Sequence, residues 1–348
     1  MKSASGMVYS NGRFAEGSVS VSKGRLAVSS RQNDDADVKG IILPRTVNCH
    51  THLGDAFIGK PGKCTVEELV APPDGYKHRM LRKVTEEVQV NAMMEAISTI
   101  SMSGTSHFID FRESGLEGAR RLLMASLGSG AIPIILGRPD SDDVDEVSAL
   151  LNVCDGIGFS AVSDMDYGSL ERISDQTRAQ EKILALHASE AHREDFEQIL
   201  NLKPDLLVHM VESSPEDLDA CATAMVPVAI CPTSNSFFGL VPPVREMLDA
   251  GISVCLGTDN AMLAAPSMLD EIRCLRAMFG ESVLSDLEIM NICFAEGRKV
   301  LNSLPGLGDA YLEHRDFFVL ESPLDDPFKS VLGARTENVR LFDRSETA

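Results

Sequence analysis

The sequence predicts a (β/α)₈ TIM-type barrel, an α/β fold, with a small β-sandwich-like domain formed by the N- and C-terminal segments. Three observations predict it. The chain has 348 residues, room for a barrel of roughly 250 residues and about 100 more. From residue 41 onward, eight short apolar runs alternate with amphipathic helical stretches. Both ends of the chain are instead rich in strand-like alternation.

The N-terminal segment opens with MVYS, a turn at Asn11-Gly12, and then GSVSVSKGRLAVSS, which alternates as hairpin strands do. The polar stretch RQNDDADVKG follows, and the texture changes at Ile41. The barrel strands are expected at 41–50, 105–111, 132–137, 156–162, 182–188, 205–210, 226–231 and 252–257. Helical stretches fall between them, at 90–104, 118–130, 193–201 and 243–252. Gly or Pro often stands at the element ends, as helix stops and turns require. Parallel strands covered on both faces read as near-continuous apolar runs, which favours a closed barrel here. After the eighth run, SMLDEIRCLRAMFG and SDLEIMNICFAEGRKVLN read as helices, and HRDFFVLESP and NVRLFDR as strands. The expected division is therefore a composite β domain from 1–40 and 308–348 and a barrel over 41–307.

Hydrophobic residues make up 44% of the chain, enough for a sizeable core. The formal net charge of −20 argues against nucleic acid polymers and anionic membranes as partners. It leaves small anionic substrates open, because a pocket can be locally basic. The first residues carry no apolar signal-type core, and no run approaches a membrane span. None of the eight cysteines forms a C-x-x-C pair, and several sit in apolar runs. That usage fits reduced, buried thiols and a cytoplasmic location. Homo-oligomerisation is left open.

The chemistry starts at His50 and His52. Side chains two apart on a strand share a face, so both imidazoles should enter the barrel mouth together. An isolated H-x-H is as often two incidental histidines. Histidine is scarce here, however, and His187 and His209 each end a strand run, as Asp259 does. Active sites of these barrels sit at the C-terminal ends of the strands. Three histidines and a carboxylate make a complete set of ligands for one divalent metal, with zinc the first choice and iron or manganese as alternatives. Glu190, three residues after His187, can reach the same mouth. A carboxyl group there can move protons while water adds to an electron-poor carbon. His209, from a neighbouring strand, can stabilise the developing charge.

These segments, NCHTHLGD, LHASE, LVHM, ICPTSN and LGTDNA, occur in an order that resembles the amidohydrolase superfamily. The resemblance is to its aminohydrolase (deaminase) branch, which includes cytosine, adenosine and thioether-nucleoside deaminases and triazine hydrolases. It covers about residues 41–300. It implies His50, His52, His187 and Asp259 as metal ligands, Glu190 as general acid/base and His209 as the group facing the leaving group. Asp259 would also assist in deprotonating water. Binuclear relatives commonly carry a bridging lysine after strand four; GIGFSAVSDMD contains none, so one metal is expected.

The resemblance implies a metal-dependent aminohydrolase that releases ammonia from a nucleobase, nucleoside or related N-heterocycle. A cyclic amide, imidazolone or halide-releasing hydrolase could use the same site. A catalytically inactive binding protein is the remaining alternative, and no ligand is missing to support it. The chain departs from thioether-nucleoside deaminases in reading TDNAML after strand eight, and its long loop after strand one lacks a Trp. Arg112, Glu113, Arg138 and Asn235 are the candidate substrate contacts, with Lys77 and His78 as candidates to cover the mouth. Any one of these charges alone is more often a solvated loop residue or an ion pair. His107 reads as a core residue, and His78, His192 and His314 lie in polar contexts that suggest solvent.

Overall fold

A computed structural model of the chain describes residues 1–307 and 316–342. His314, expected at the surface, lies outside the described residues. Two sheets organise the chain. The smaller comprises β1 (Ser3–Ser10), β2 (Arg13–Ser22), β3 (Arg25–Ser29) and β4 (Val38–Pro44), joined by the C-terminal strands Phe317–Leu320 and Val339–Leu341. β1 and β4 run parallel and the other neighbours antiparallel. The β1–β2 turn is made by Asn11 and Gly12, both at positive φ (51° and 76°), the conformation a two-residue hairpin needs.

The larger sheet holds β5 (Thr46–His52), β6 (Thr105–Arg112), β7 (Ile132–Gly137), β8 (Gly156–Phe159), β9 (Ile183–Ala188), β10 (Leu206–His209), β11 (Val228–Ile230), β12 (Val254–Leu256) and β13 (Asp259–Asn260). Every neighbouring pair is parallel. The order runs from β12 back to β5 and then to β13. β12 and β13 are two halves of one broken strand: the first pairs with β11 and the second with β5. The ring is thereby closed as an eight-stranded (β/α)₈ barrel.

The run 41–50, expected as one strand, is divided between the two sheets. Ile41–Leu43 belong to β4, and the barrel strand begins at Thr46. Proline lacks the N–H that a continuing ladder needs, and the chain changes sheets at Pro44–Arg45. Ile41–Leu43 and Thr46–His52 are both buried, and only Pro44 and Arg45 lie between them.

Inside the barrel, residues two apart pack together: Ile109 with Phe111, Ile134 with Leu136, Ile183 with Ala185, and Leu206 with Val208. The helix Gly297–Ser303 joins this cluster through Val300 and Leu301. The opposite strand faces pack under the outer helices in a second, larger cluster. Among the described residues, no helix is long and apolar enough to cross a membrane.

Candidate metal centre

Period-two alternation alone does not bring His50 into the barrel. Val47 and Cys49 already pack in its interior, so the next residue should face out. The β5–β6 register shifts between Asn48 and Thr51, marking a bulge that re-aims the strand end. His50 and His52 then both turn into the mouth, their ring centroids 4.8 Å apart. A comparable device acts at β10 and β13. His209 and Asp259 take left-handed φ values of 74° and 58°, which residues other than Gly rarely adopt. Such backbone costs on the order of 1–3 kcal/mol and clusters at functional sites.

The result is one buried cluster. His50, His52 and His187 offer ring nitrogens all within 4.8 Å of one another, and His50, His209 and Asp259 form a second such trio. His50 Nε2 lies 3.3 Å from Asp259 Oδ1, and His52 Nε2 lies 3.7 Å from the same oxygen. Ser234 donates to Asp259 Oδ2 at 2.5 Å, and Asn260 Nδ2 to Oδ1 at 2.8 Å.

The hydrogen bonds around the cluster test whether it suits a metal. His52 Nδ1 lies 3.0 Å from the Phe111 carbonyl and 2.8 Å from Glu113 Oε1. His187 Nδ1 lies 2.7 Å from the Phe159 carbonyl. All three partners are acceptors, so both Nδ1 atoms carry the proton. The two Nε2 lone pairs then face each other at 3.1 Å, an arrangement a shared cation relieves. Burial lowers the pKa of His50 and His187, and burial with the charge of Lys77 takes His52 to about 3. Neutral imidazoles are the form that binds metal. Among the described residues, neither ring nitrogen of His50 has a hydrogen-bond partner of good geometry, the Asp259 contact of Nε2 included. The donor set of nitrogens with one carboxylate fits zinc.

Glu190 sits beside the cluster, its Oε1 3.6 Å from His209 Nε2. Burial pushes its carboxyl up to about 7. The cluster lies at the floor of a cavity of about 180 Å³. Its walls include Val70, His78, Arg138, Ser160, Asp164 and Asn260.

The candidate substrate contacts separate into two pairs. Glu113 and Arg138 line the cavity, and Arg112 and Asn235 do not. Arg112 takes the outward face of its strand end, fully buried, and pairs with Asp110 at 3.2 Å and with Glu113. Gly54 makes room for it, since a Cβ there would meet Arg112 Nη2 at 1.9 Å. Asn235 lies behind His209, with Nδ2 3.4 Å from Nδ1. His78 differs from its expected solvent position: it lines the cavity, and its Nε2 bonds the Val70 carbonyl at 3.0 Å. His192 is exposed and pairs with Glu67 at 3.0 Å. His107 is buried in the barrel, as expected.

A parallel barrel with a histidine–aspartate cluster at the C-terminal ends of its strands defines a metal-dependent hydrolase. The chain belongs to the amidohydrolase family, whose model matches residues 41–292. A relative from Archaeoglobus fulgidus, provisionally named an aminohydrolase, is 33% identical over 81% of this chain and 81% of its own length. A 5-methylthioadenosine/S-adenosylhomocysteine deaminase from Pyrococcus horikoshii is 24% identical over 77% of this chain and 71% of its own. An adenosine deaminase from Xanthomonas campestris with bound zinc shares the fold, with a TM-score of 0.75 and 16% identity. That match covers 97% of this chain and 90% of the other.

Proposed function

We propose that the chain is a zinc-dependent aminohydrolase that adds water to an amidine-like carbon of a nucleobase, nucleoside or related N-heterocycle and releases ammonia. The observation that carries this reading is the placement of Glu190. A carboxyl group with a pKa near 7 stands at the cavity floor, against His209 and beside the facing Nε2 atoms. The relatives named as an aminohydrolase and as a deaminase support the reaction class.

His50, His52, His187 and Asp259 would hold the metal. A divalent metal supplies Lewis acidity there, which makes water acidic enough to attack at neutral pH. Glu190 takes a proton from the attacking water and passes it to the ring nitrogen or the departing amine. Each transfer leaves the carboxyl ready for the next, so one group serves the whole sequence. His209 faces the reacting carbon from β10 and stabilises the charge that develops on the adduct. The C–N bond breaks as the amine gains its proton, and ammonia leaves. Arg138 and Glu113, on the cavity wall, are the side chains proposed to meet the heterocycle's substituents. A cytoplasmic location belongs to the same reading, supported by eight unpaired cysteines.

The test is a screen of purines, pyrimidines, pterins and nucleosides, including thioether nucleosides, with zinc-, iron- and manganese-loaded protein. Ammonia release from at least one class is expected. Ring opening or halide release without ammonia would overturn the deaminase reading.

A further inference from the structure

Lys77 is the most deeply buried lysine that the proposed chemistry leaves without a role. It lies on the helix Tyr76–Leu81, in the long segment between β5 and the helix Glu86–Met102. Its side chain is 3% exposed. A lysine so buried is nearly always held by partners, and here there are three. Its Nζ lies 2.5 Å from Glu113 Oε1, 2.9 Å from Asn260 Oδ1 and 3.8 Å from Asp55 Oδ2.

Two of these partners each touch a metal-ligand candidate. The same Glu113 oxygen lies 2.8 Å from His52 Nδ1. Asn260 donates from Nδ2 to Asp259 Oδ1 at 2.8 Å. The ammonium leaves Asn260 a single sensible orientation: its oxygen faces Lys77 and its NH₂ faces the carboxylate. The flipped amide would set oxygen against oxygen and NH₂ against NH₃⁺. Lys77 is thus one residue removed from a ligand on β5 and from a ligand on β13, where the two strands pair to close the ring. It reaches that point from the segment that covers the cavity, which also supplies Val66, Glu67, Val70 and His78 to its walls.

We infer that Lys77 is a positioning residue that couples the seating of this covering segment to the geometry of the metal ligands. Seated, its ammonium holds Glu113 where it fixes the His52 ring and holds Asn260 where it fixes Asp259. Outer partners of metal ligands are typically worth 10–100-fold in metal affinity. Coupling of this kind is reciprocal, so metal binding also seats the segment. The inference rests on the reading of the cluster as a metal site.

The experiment compares the full-length protein with Lys77→Met, which keeps the aliphatic stem and removes the charge and the donors. Zinc affinity is measured by chelator competition. Limited proteolysis of residues 57–84 is followed with and without zinc. Thermal unfolding of the metal-free forms is recorded alongside. Lys77→Met is expected to lose about 10–100-fold in zinc affinity. It should also lose the protection of 57–84 that zinc gives the parent protein. Combining it with Glu113→Gln should add less than the sum of the two single effects, because both act on one network. Unchanged zinc affinity overturns the inference, and so does a lowered unfolding temperature with zinc affinity intact, which marks a purely structural lysine. A parent protein that binds no zinc fails the metal reading itself, a separate result. If Lys77→Met does not fold, Lys77→Arg replaces it. A planar fork cannot reproduce the ammonium's contacts, so a smaller fall in affinity is expected and no fall overturns the inference.

Discussion

His209 Nε2 and Glu190 Oε1 stand 3.6 Å apart at the floor of the cavity, on neighbouring strand ends and facing the same space. In the proposed mechanism this carboxyl group moves protons without holding metal. Glu190→Gln should therefore keep zinc content and substrate affinity and lose turnover. A positioned acid/base contributes about 10²–10⁴-fold, and a loss at or above that range is expected because one group serves several transfers. Stopped-assay ammonia release and elemental analysis on the same preparation check it. Full activity, or lost zinc, would remove Glu190 from this role.

Protein purified without chelator should hold about one metal per chain, as four ligands allow. His187→Ala and Asp259→Asn should each lower occupancy and activity together. Chelation should abolish turnover and added zinc restore it. Elemental analysis that finds two tightly held equivalents would contradict the single site.

Arg138 Nε has no hydrogen-bond partner among the described residues, and the side chain lines the cavity. A guanidinium so placed suits an acceptor on the substrate, such as a carbonyl or an anionic substituent. Arg138→Ala should raise KM by about 10–100-fold, the span of one charged hydrogen bond, with a smaller effect on kcat. The effect should vanish for substrate analogues that lack the acceptor. Equal losses across all analogues would show that Arg138 does not read the substrate.

Glu271 gives a pH prediction away from the cluster. It is fully buried on the helix Met268–Met278, and its Oε2 accepts from the Thr233 N–H at 2.9 Å. Burial raises its pKa from the ordinary 4.5 to about 8. The folded state thus favours the protonated acid. Its stabilising share is fully present below about 4.5 and is lost as pH rises through about 8. Glu271→Gln keeps an acceptor for Thr233 and cannot ionise. The variant should match the parent near pH 5 and exceed it in stability at pH 8. Denaturant unfolding at the two pH values measures this, and a margin that shrinks as pH rises would reverse the assignment.

The rim cluster was legible because four scarce histidines and an aspartate fell at the ends of apolar runs. Their aim was not. It depends on a bulge between Asn48 and Thr51 and on left-handed backbone at His209 and Asp259, which leave no mark in hydrophobic periodicity. Period-two parity would have sorted the arginines. Counting on from Ile109 and Phe111 puts Glu113 inside and Arg112 outside, and counting on from Ile134 and Leu136 puts Arg138 inside. The division of 41–50 between two sheets was easily missed, since both halves are buried and the break rests on Pro44 and Arg45 alone. Ser234, Asn260 and the network of Lys77 could not be read at all. The Lys77–Asn260 bond joins residues 183 apart in sequence, a contact no local pattern encodes.

The broken eighth strand also bears on how the chain folds. Asn48 and Thr258 are hydrogen-bonded across 210 residues of sequence, and Asp259 pairs with Thr51 at the same join. A contact of such long range carries a large loop-closure entropy and is expected to form late. His50 and His52 lie on one side of that join and Asp259 on the other. A folding intermediate with the ring still open would therefore hold only part of the proposed ligand set. Under the proposed metal reading, uptake of the divalent metal would be a clock for the final closure step, and the bound metal would be a clasp that slows reopening.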